Sequence, residues 1–240
     1  MIVETSDLWR TFGGVAAVAG VNFRLEPGEL RCLIGSNGAG KSTFFKLLTG
    51  QLRPSKGHIN ILGRQTTTSQ PFEISRLGVG IKTQVPNLFE GLSVRENLHL
   101  AARRTHAGKA ARLAAEAMLE DIELADRAGA PVRELSHGQR QWVELGMVLV
   151  SEPKLVLLDE PAAGMTQAEV ERTAMLLQRM RKDRAFIIVE HDMHFVRNIA
   201  ERVTVFHRGR ILVEDTMEAV TSNTEVRNAY LGQKFGKSHD

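Results

Sequence analysis

The segment Gly35-Ser36-Asn37-Gly38-Ala39-Gly40-Lys41-Ser42 spaces its glycines, a lysine and a hydroxyl as G-x-x-x-x-G-K-[ST]. Glycines at these places let the backbone curl around phosphate oxygens with its N–H groups turned inward. A helix that starts where the loop ends adds its positive N-terminal pole. Lys41 is placed to reach β- and γ-phosphates, and the Ser42 hydroxyl to ligate Mg²⁺. Some Gly-rich loops match such a pattern by chance. Here an apolar run (30–34) precedes the loop and a helical pattern (42–49) follows it, which is the context the chemistry needs. The second signal is Leu155-Val156-Leu157-Leu158 followed by Asp159-Glu160. An apolar strand there delivers two carboxylates to its C-terminal end, where ligands of open α/β sheets bind. Asp159 is expected to hold Mg²⁺ through water, and Glu160 to polarise an attacking water as general base. A strand ending in charges is weak evidence alone; behind a phosphate loop it gains weight.

These residues need a scaffold, and the rest of the chain supplies its pattern. Residues 21–25 alternate like a strand, and Glu26-Pro27-Gly28-Glu29 is a turn in which Pro presets φ. Residues 58–62 alternate again and Gly63 turns the chain. From Ser93 the character becomes helical. Residues 110–120 are rich in good helix formers, with Leu113 and Ala117 read as the apolar face. Residues 140–150 continue helically through Trp142, Leu145, Val148 and Leu149. Residues 155–158 and 186–189 read as buried parallel strands, and 170–180 between them as a helix with Val170, Ala174 and Leu177 on one face. Residues 203–207 and 210–214 suggest a strand pair joined at Arg208-Gly209. Alternating strands and helices predict an α/β fold with a mainly parallel sheet. A helical insertion is expected over about 85–150, leaving a core of about 1–84 and 151–240 in a single domain of 240 residues.

Bulk composition narrows the classes. The 31 basic residues exceed the 28 acidic by only three, so no nucleic-acid partner is expected; the basic clusters at 179–184 and 207–210 read as solvated faces. One cysteine, Cys32, excludes an internal disulfide and fits a reducing compartment; in its apolar strand it reads as core filler. No run approaches the ~18 apolar residues of a spanning helix. The first ten residues carry two acids and no long apolar core, unlike a signal peptide. The chain is therefore expected in the cytoplasm unless a partner holds it at a membrane.

Leu135-Ser136-His137-Gly138-Gln139, just before an apolar helix, resembles the signature motif of the ATP-binding cassette (ABC) family. Gln84 is similar to that family's Q-loop glutamine, His191 in Val189-Glu190-His191-Asp192 to its switch histidine, and Phe12 to the aromatic that stacks on adenine. The resemblance spans about residues 2–232. It implies a P-loop NTPase (RecA-like) core with an N-terminal antiparallel β part and a small helical subdomain carrying the signature. It implies ATP and Mg²⁺ as ligands, and two cassettes that trap two nucleotides head to tail. Each site would use Phe12, Gly35, Asn37, Gly38, Ala39, Gly40, Lys41, Ser42 and Thr43 around the nucleotide. Ser42, Gln84 and Asp159 would surround the metal, with Glu160, His191 and Gln84 as the catalytic set. Ser136, Gly138 and Gln139 of the other subunit would complete it. Some positions depart from the pattern. Thr166 stands where most cassettes have the D-loop Asp, which puts that loop's usual contact in doubt. Ser36 replaces a frequent Pro. Thr83 precedes Gln84 where related importers carry Phe.

The stretches running 136–147 and 160–166, Val189-Glu190-His191-Asp192-Met193 and the tail Ala229-Tyr230-Leu231-Gly232 resemble the branched-chain amino acid importer group, and within it the ATPase of urea and short-amide importers. The resemblance implies permease subunits docking between Gln84 and Glu96, where Val85, Leu88, Phe89 and Leu92 form an apolar cluster that could equally be core. It implies a second cassette, identical or a sister, and a peripheral place at the cytoplasmic face of the inner membrane. The alternatives are a lipopolysaccharide-exporter ATPase, a soluble cassette of repair or translation, and a scaffold that does not hydrolyse ATP. The intact Glu160 and His191 argue against the last, and the lack of a second cassette or long arm against the soluble class.

Overall fold

The computed structural model describes residues 1–85 and 87–231. Pro86, within the expected docking stretch, and Gly232, the last residue of the tail motif, lie outside it. In chain order the elements are β1 (Val3–Phe12), β2 (Val15–Leu25), β3 (Leu30–Gly35), α1 (Lys41–Leu48), β4 (Lys56–Ile61), β5 (Arg64–Gln65), α2 (Pro71–Arg76), β6 (Val79–Lys82) and α3 (Val94–Ala102). There follow α4 (Gly108–Asp121), α5 (His137–Leu149), β7 (Leu155–Asp159), α6 (Gln167–Met180), β8 (Ala185–Val189), α7 (Met193–Ile199), β9 (Arg202–His207), β10 (Arg210–Asp215) and α8 (Met217–Ser222).

Two sheets form. An antiparallel one runs β2-β1-β4-β5, and a six-stranded one runs β10-β9-β3-β8-β7-β6. Within the second, β9, β3, β8, β7 and β6 are mutually parallel and only β10 runs back against β9. The central strands are buried on both faces, and their alternating side chains feed two cores, as period 2 dictates. Cys32, Ile34, Val156, Leu158, Phe186 and Ile188 face the helices α3 to α7. Leu33, Leu155, Leu157, Ile187 and Val189 face α1 and the antiparallel sheet. Cys32 is fully buried, which pushes its thiol well above the usual range, so it is filler as expected. The α/β architecture with an N-terminal antiparallel part and a signature-bearing helical part is therefore as the sequence implies.

Some local readings change. The buried face of α4 is Ala111, Ala115, Met118 and Leu119, while Leu113 is 60% exposed. The helix forms where the pattern predicts it, with its apolar stripe two residues away from the expected one. The strand at 21–25 is the end of an eleven-residue strand, and β1 and β6 had no counterpart in the sequence pattern.

Candidate active site

The parallel register sets the site. Leu33 of β3 lies beside Val189 of β8, and Asp159 of β7 beside the same Val189. The loops leaving β3, β7 and β8 therefore emerge side by side at one edge, carrying Gly35–Ser42, Asp159-Glu160 and His191.

Three glycines shape the phosphate loop, each with φ positive (Gly35 148°, Gly38 76°, Gly40 109°). A Cβ at Gly35 would collide with the Phe206 carbonyl, and one at Gly40 with that of Ala17. At Gly38 it would meet nothing, so that peptide faces open space. Gly40 caps α1 with no side-chain hydrogen bond, so the helix turns its positive N-terminal pole toward the loop without a capping side chain in between. Lys41 is 8% exposed, and its Nζ donates to the carbonyls of Gly35 (2.8 Å) and Ser36 (3.0 Å) across the loop. Ser42 and Asn37 are exposed, Ala39 is buried and Thr43 half-buried.

Asp159 is buried, and its Oδ1 has no hydrogen-bond partner. Burial first, then the neighbouring Glu160 carboxylate, pushes its carboxyl up to about 6. A buried, unpartnered carboxylate beside a phosphate loop fits a hard cation, which takes oxygen ligands and draws the rest from nucleotide phosphates and water. Among the described residues no cluster of three His, Cys, Asp or Glu exists that could hold a metal by itself. Glu160 stands at φ +49°, a strained setting for a residue with a Cβ, with its N–H donated to Val189 O at 2.9 Å. His191 Nδ1 lies 3.5 Å from Glu160 Oε1 and 3.8 Å from Glu190 Oε2. Gln84 is exposed two residues beyond β6, the strand paired with β7.

Phe12 pairs with Val15 at the tip of the β1–β2 hairpin and is 44% exposed. The Arg10 guanidinium lies 4.5 Å from its ring centroid. The hairpin stands beside the phosphate loop, because the Ala17 backbone closes on Gly40 and Gly209 links Ala19 and Ala39, each at 2.8 Å. Trp9, the other aromatic of β1, donates Nε1 to Asp7 at 2.6 Å and its ring covers Gly20.

Ser136 caps α5. Its Oγ accepts from Gln139 N (3.3 Å) and Gln139 Oε1 accepts from Ser136 N (3.0 Å). The Gln139 side chain is thus turned back onto its own helix, while the Ser136 hydroxyl keeps its proton to donate. Thr166 does the same for α6 with Glu169, so the residue in the unusual D-loop position is a helix cap.

Glu190 is a residue the sequence reading passed over. It is 1% exposed and accepts from Ala162 N (3.1 Å), His191 N (2.8 Å) and Asp192 N (3.2 Å). Burial raises its carboxyl and these donors oppose the rise. The signal for it, a carboxylate closing a buried strand next to His191, was present in the sequence. So was Glu144, whose carboxylate pairs with buried Lys82 at 3.3 Å and accepts from Asn87 N at 2.6 Å.

The arrangement can wrap phosphates, hold a cation and orient a water between Glu160 and His191. Comparison with known proteins gives the family. The chain is 33% identical to the high-affinity branched-chain amino acid transport ATP-binding protein BraF of Pseudomonas aeruginosa, over 97% of this chain and 98% of that one. It is 32% identical to LivG of Escherichia coli, of the same description, with the same coverage. Among solved structures, an ATP-binding cassette of an ABC transporter in its ADP conformation superposes with a TM-score of 0.87 at 27% identity, covering 96% of this chain and 98% of that one. The cbiO1 protein of Clostridium perfringens, part of the cbiONQ transporter complex, gives 0.84 at 29% identity, covering 95% and 93%. The sequence profile of the family described as "ABC transporter" matches residues 18–163, from β2 through the phosphate loop to the turn after Glu160, and the chain belongs to that family as an ATP-binding, ATP-hydrolysing cassette.

Proposed function

We propose that this chain drives an importer for a small amino acid or amide, hydrolysing ATP in a head-to-tail pair of cassettes. The observation that carries the reading is the convergence of Lys41, Ser42, Asp159, Glu160 and His191 at the ends of β3, β7 and β8, in a chain whose near-full-length relatives are transport ATPases. In this mechanism the loop amides and Lys41 bind the triphosphate. Ser42 and Asp159, with Gln84 from the β6 exit, hold Mg²⁺, which neutralises developing phosphate charge when bound. Glu160 takes the proton of the attacking water and His191 keeps it oriented toward the γ-phosphate. Ser136 and Gly138 of the partner cassette donate to that phosphate, and Phe12 stacks on the adenine. Loss of the γ-phosphate opens the pair.

Two regions complete the assignment. Helices α3, α4 and α5, with the loop before them, act as the helical subdomain of about 85–150. A groove of about 500 Å³, lined by Val85, Phe89, Leu100, Met147 and the Lys82–Glu144 pair, receives the permease. Val85 is 76% and Phe89 53% exposed, which supports a docking role for them; Leu88 packs on the core instead. Among the described residues no helix is long and apolar enough to cross a membrane, which accords with a peripheral place at the cytoplasmic face of the inner membrane.

For the substrate, the relatives named above transport branched-chain amino acids, and another at 34% identity is a ribose import ATP-binding protein. The Gln141-Trp142 pair and the loop 163–166 resemble the urea and short-amide branch instead. Gene deletion followed by uptake of labelled leucine, urea and acetamide at low concentration separates these. Loss of leucine uptake alone assigns the amino acid, and loss of amide uptake alone assigns the amide. Retention of all three contradicts the proposed amino acid and amide substrates.

A further inference from the structure

The two segments that mark the importer branch, the start of α5 and the loop before α6, are far apart in sequence but packed together. His137 Nε2 lies 3.0 Å from the Ala163 carbonyl; a carbonyl only accepts, so Nε2 carries the proton and donates. The next residue, Gly164, has φ +73°, and a Cβ there would stand 2.9 Å from the same imidazole nitrogen. A Cβ on Gly138 would collide with the Glu169 carboxylate, which is itself held by Thr166 N at 2.8 Å and Thr166 Oγ1 at 2.9 Å. One turn further on, Trp142 Nε1 donates to Thr173 Oγ1 at 2.9 Å, and the Arg172 guanidinium lies 4.3 Å from the Trp142 ring centroid. On its other side the same turn is held by Glu190, which accepts from Ala162 N and from His191 N. The turn that follows Glu160 is thus gripped from two directions, by the switch segment through Glu190 and by the signature loop through His137.

We propose that His137 is a positioning residue that fastens the signature loop to the catalytic turn of its own subunit. The inference rests on the head-to-tail reading above, in which the signature loop completes the neighbour's site. Each subunit then lends one rigid unit to both nucleotide sites, Glu160 to its own and Ser136 to its partner's. Coupling of that kind needs a contiguous path of packed and hydrogen-bonded groups, and the path from His191 through Glu190, the peptides of residues 162–163 and His137 is one.

The test is steady-state ATP hydrolysis by the full-length chain and its variants, in the assembled transporter where that is available. His137→Ala is expected to lower kcat about five-fold, the scale of one hydrogen bond, with KM for ATP changed less than about two-fold. His137→Gln, whose amide N–H can reach the same carbonyl, is expected to recover most of the loss. Gly164→Ala, which displaces the imidazole from the other side, is expected to reproduce it with His137 intact, and also serves if His137→Ala folds poorly. His137→Leu, of similar size but with no N–H, is expected to stay as slow as His137→Ala, whereas packing alone would let Leu recover as much as Gln. Active wild type with unchanged kcat in His137→Ala and Gly164→Ala overturns this inference alone, as does equal loss in the Ala and Gln variants. A wild-type chain with no ATP turnover overturns the underlying reading as well.

Discussion

Asp159 carries the least satisfied polar atom of the site, a buried carboxylate oxygen without a donor. Its carboxyl titrates near 6 in the folded chain, against an ordinary value of 3.8. A raised folded value means that this group favours the fold below about 3.8 and that its contribution is lost as pH rises through 6. The nucleotide-free chain should therefore lose thermal stability across that window. Asp159→Asn should flatten the profile and raise the midpoint at pH 7.5, read by scanning fluorimetry at each pH; an unchanged slope would refute the account of this carboxylate. Phe12, by contrast, is 44% exposed. Phe12→Ala should weaken ATP binding by roughly 1–3 kcal/mol, judging by base–aromatic stacking, and Phe12→Trp should not. Trp9, tied to Asp7 and Gly20, should be replaceable by Phe without effect on nucleotide affinity. Lys41, Ser42, Asp159 and Glu160 were legible because their chemistry lies in short contiguous motifs. The positions of Glu190 and His137 were visible but not their partners, which come from loops that only the fold brings together.

At the scale of elements, the six-stranded sheet and α5 are joined by a buried ion pair. Lys82 at the end of β6 and Glu144 on α5 are 4% and 6% exposed and 3.3 Å apart. Removing one partner leaves a buried charge uncompensated, at about 3–5 kcal/mol. Lys82→Met should therefore unfold at a much lower urea midpoint, and Lys82→Met with Glu144→Leu should regain most of the loss; an additive double variant would show that the pair is not coupled. The sequence yielded the central strands because they are continuous apolar runs. It hid β6, a four-residue strand whose Gly80 is needed because a Cβ would come within 2.7 Å of Val148 on α5. It hid β1 as well, since register shifts between Thr5 and Leu8 and the positive φ of Asp7 break the alternation. In α4 the abundance of alanine left several candidate stripes, and only packing against α3 and α5 chose Ala111, Ala115 and Met118.

For the molecule as a whole, one chain holds a phosphate loop and catalytic carboxylates at one sheet edge and a capped signature helix beside the turn that follows them. In the proposed head-to-tail pair each set is completed by the other set of the partner, so that the pair forms two sites. In the proposed mechanism the charge on Glu160 acts twice: it accepts the proton of the attacking water, and it repels bound phosphate, which helps the pair reopen. Replacing the carboxylate by an amide removes proton acceptance and the repulsion together, without changing side-chain size. The most direct measurement is therefore the size and nucleotide content of Glu160→Gln with Mg²⁺ and ATP, by light scattering on a sizing column, alongside its turnover. The account predicts a stable pair retaining two ATP per two chains, with turnover reduced at least a hundred-fold. Hydrolysis at the wild-type rate would contradict it.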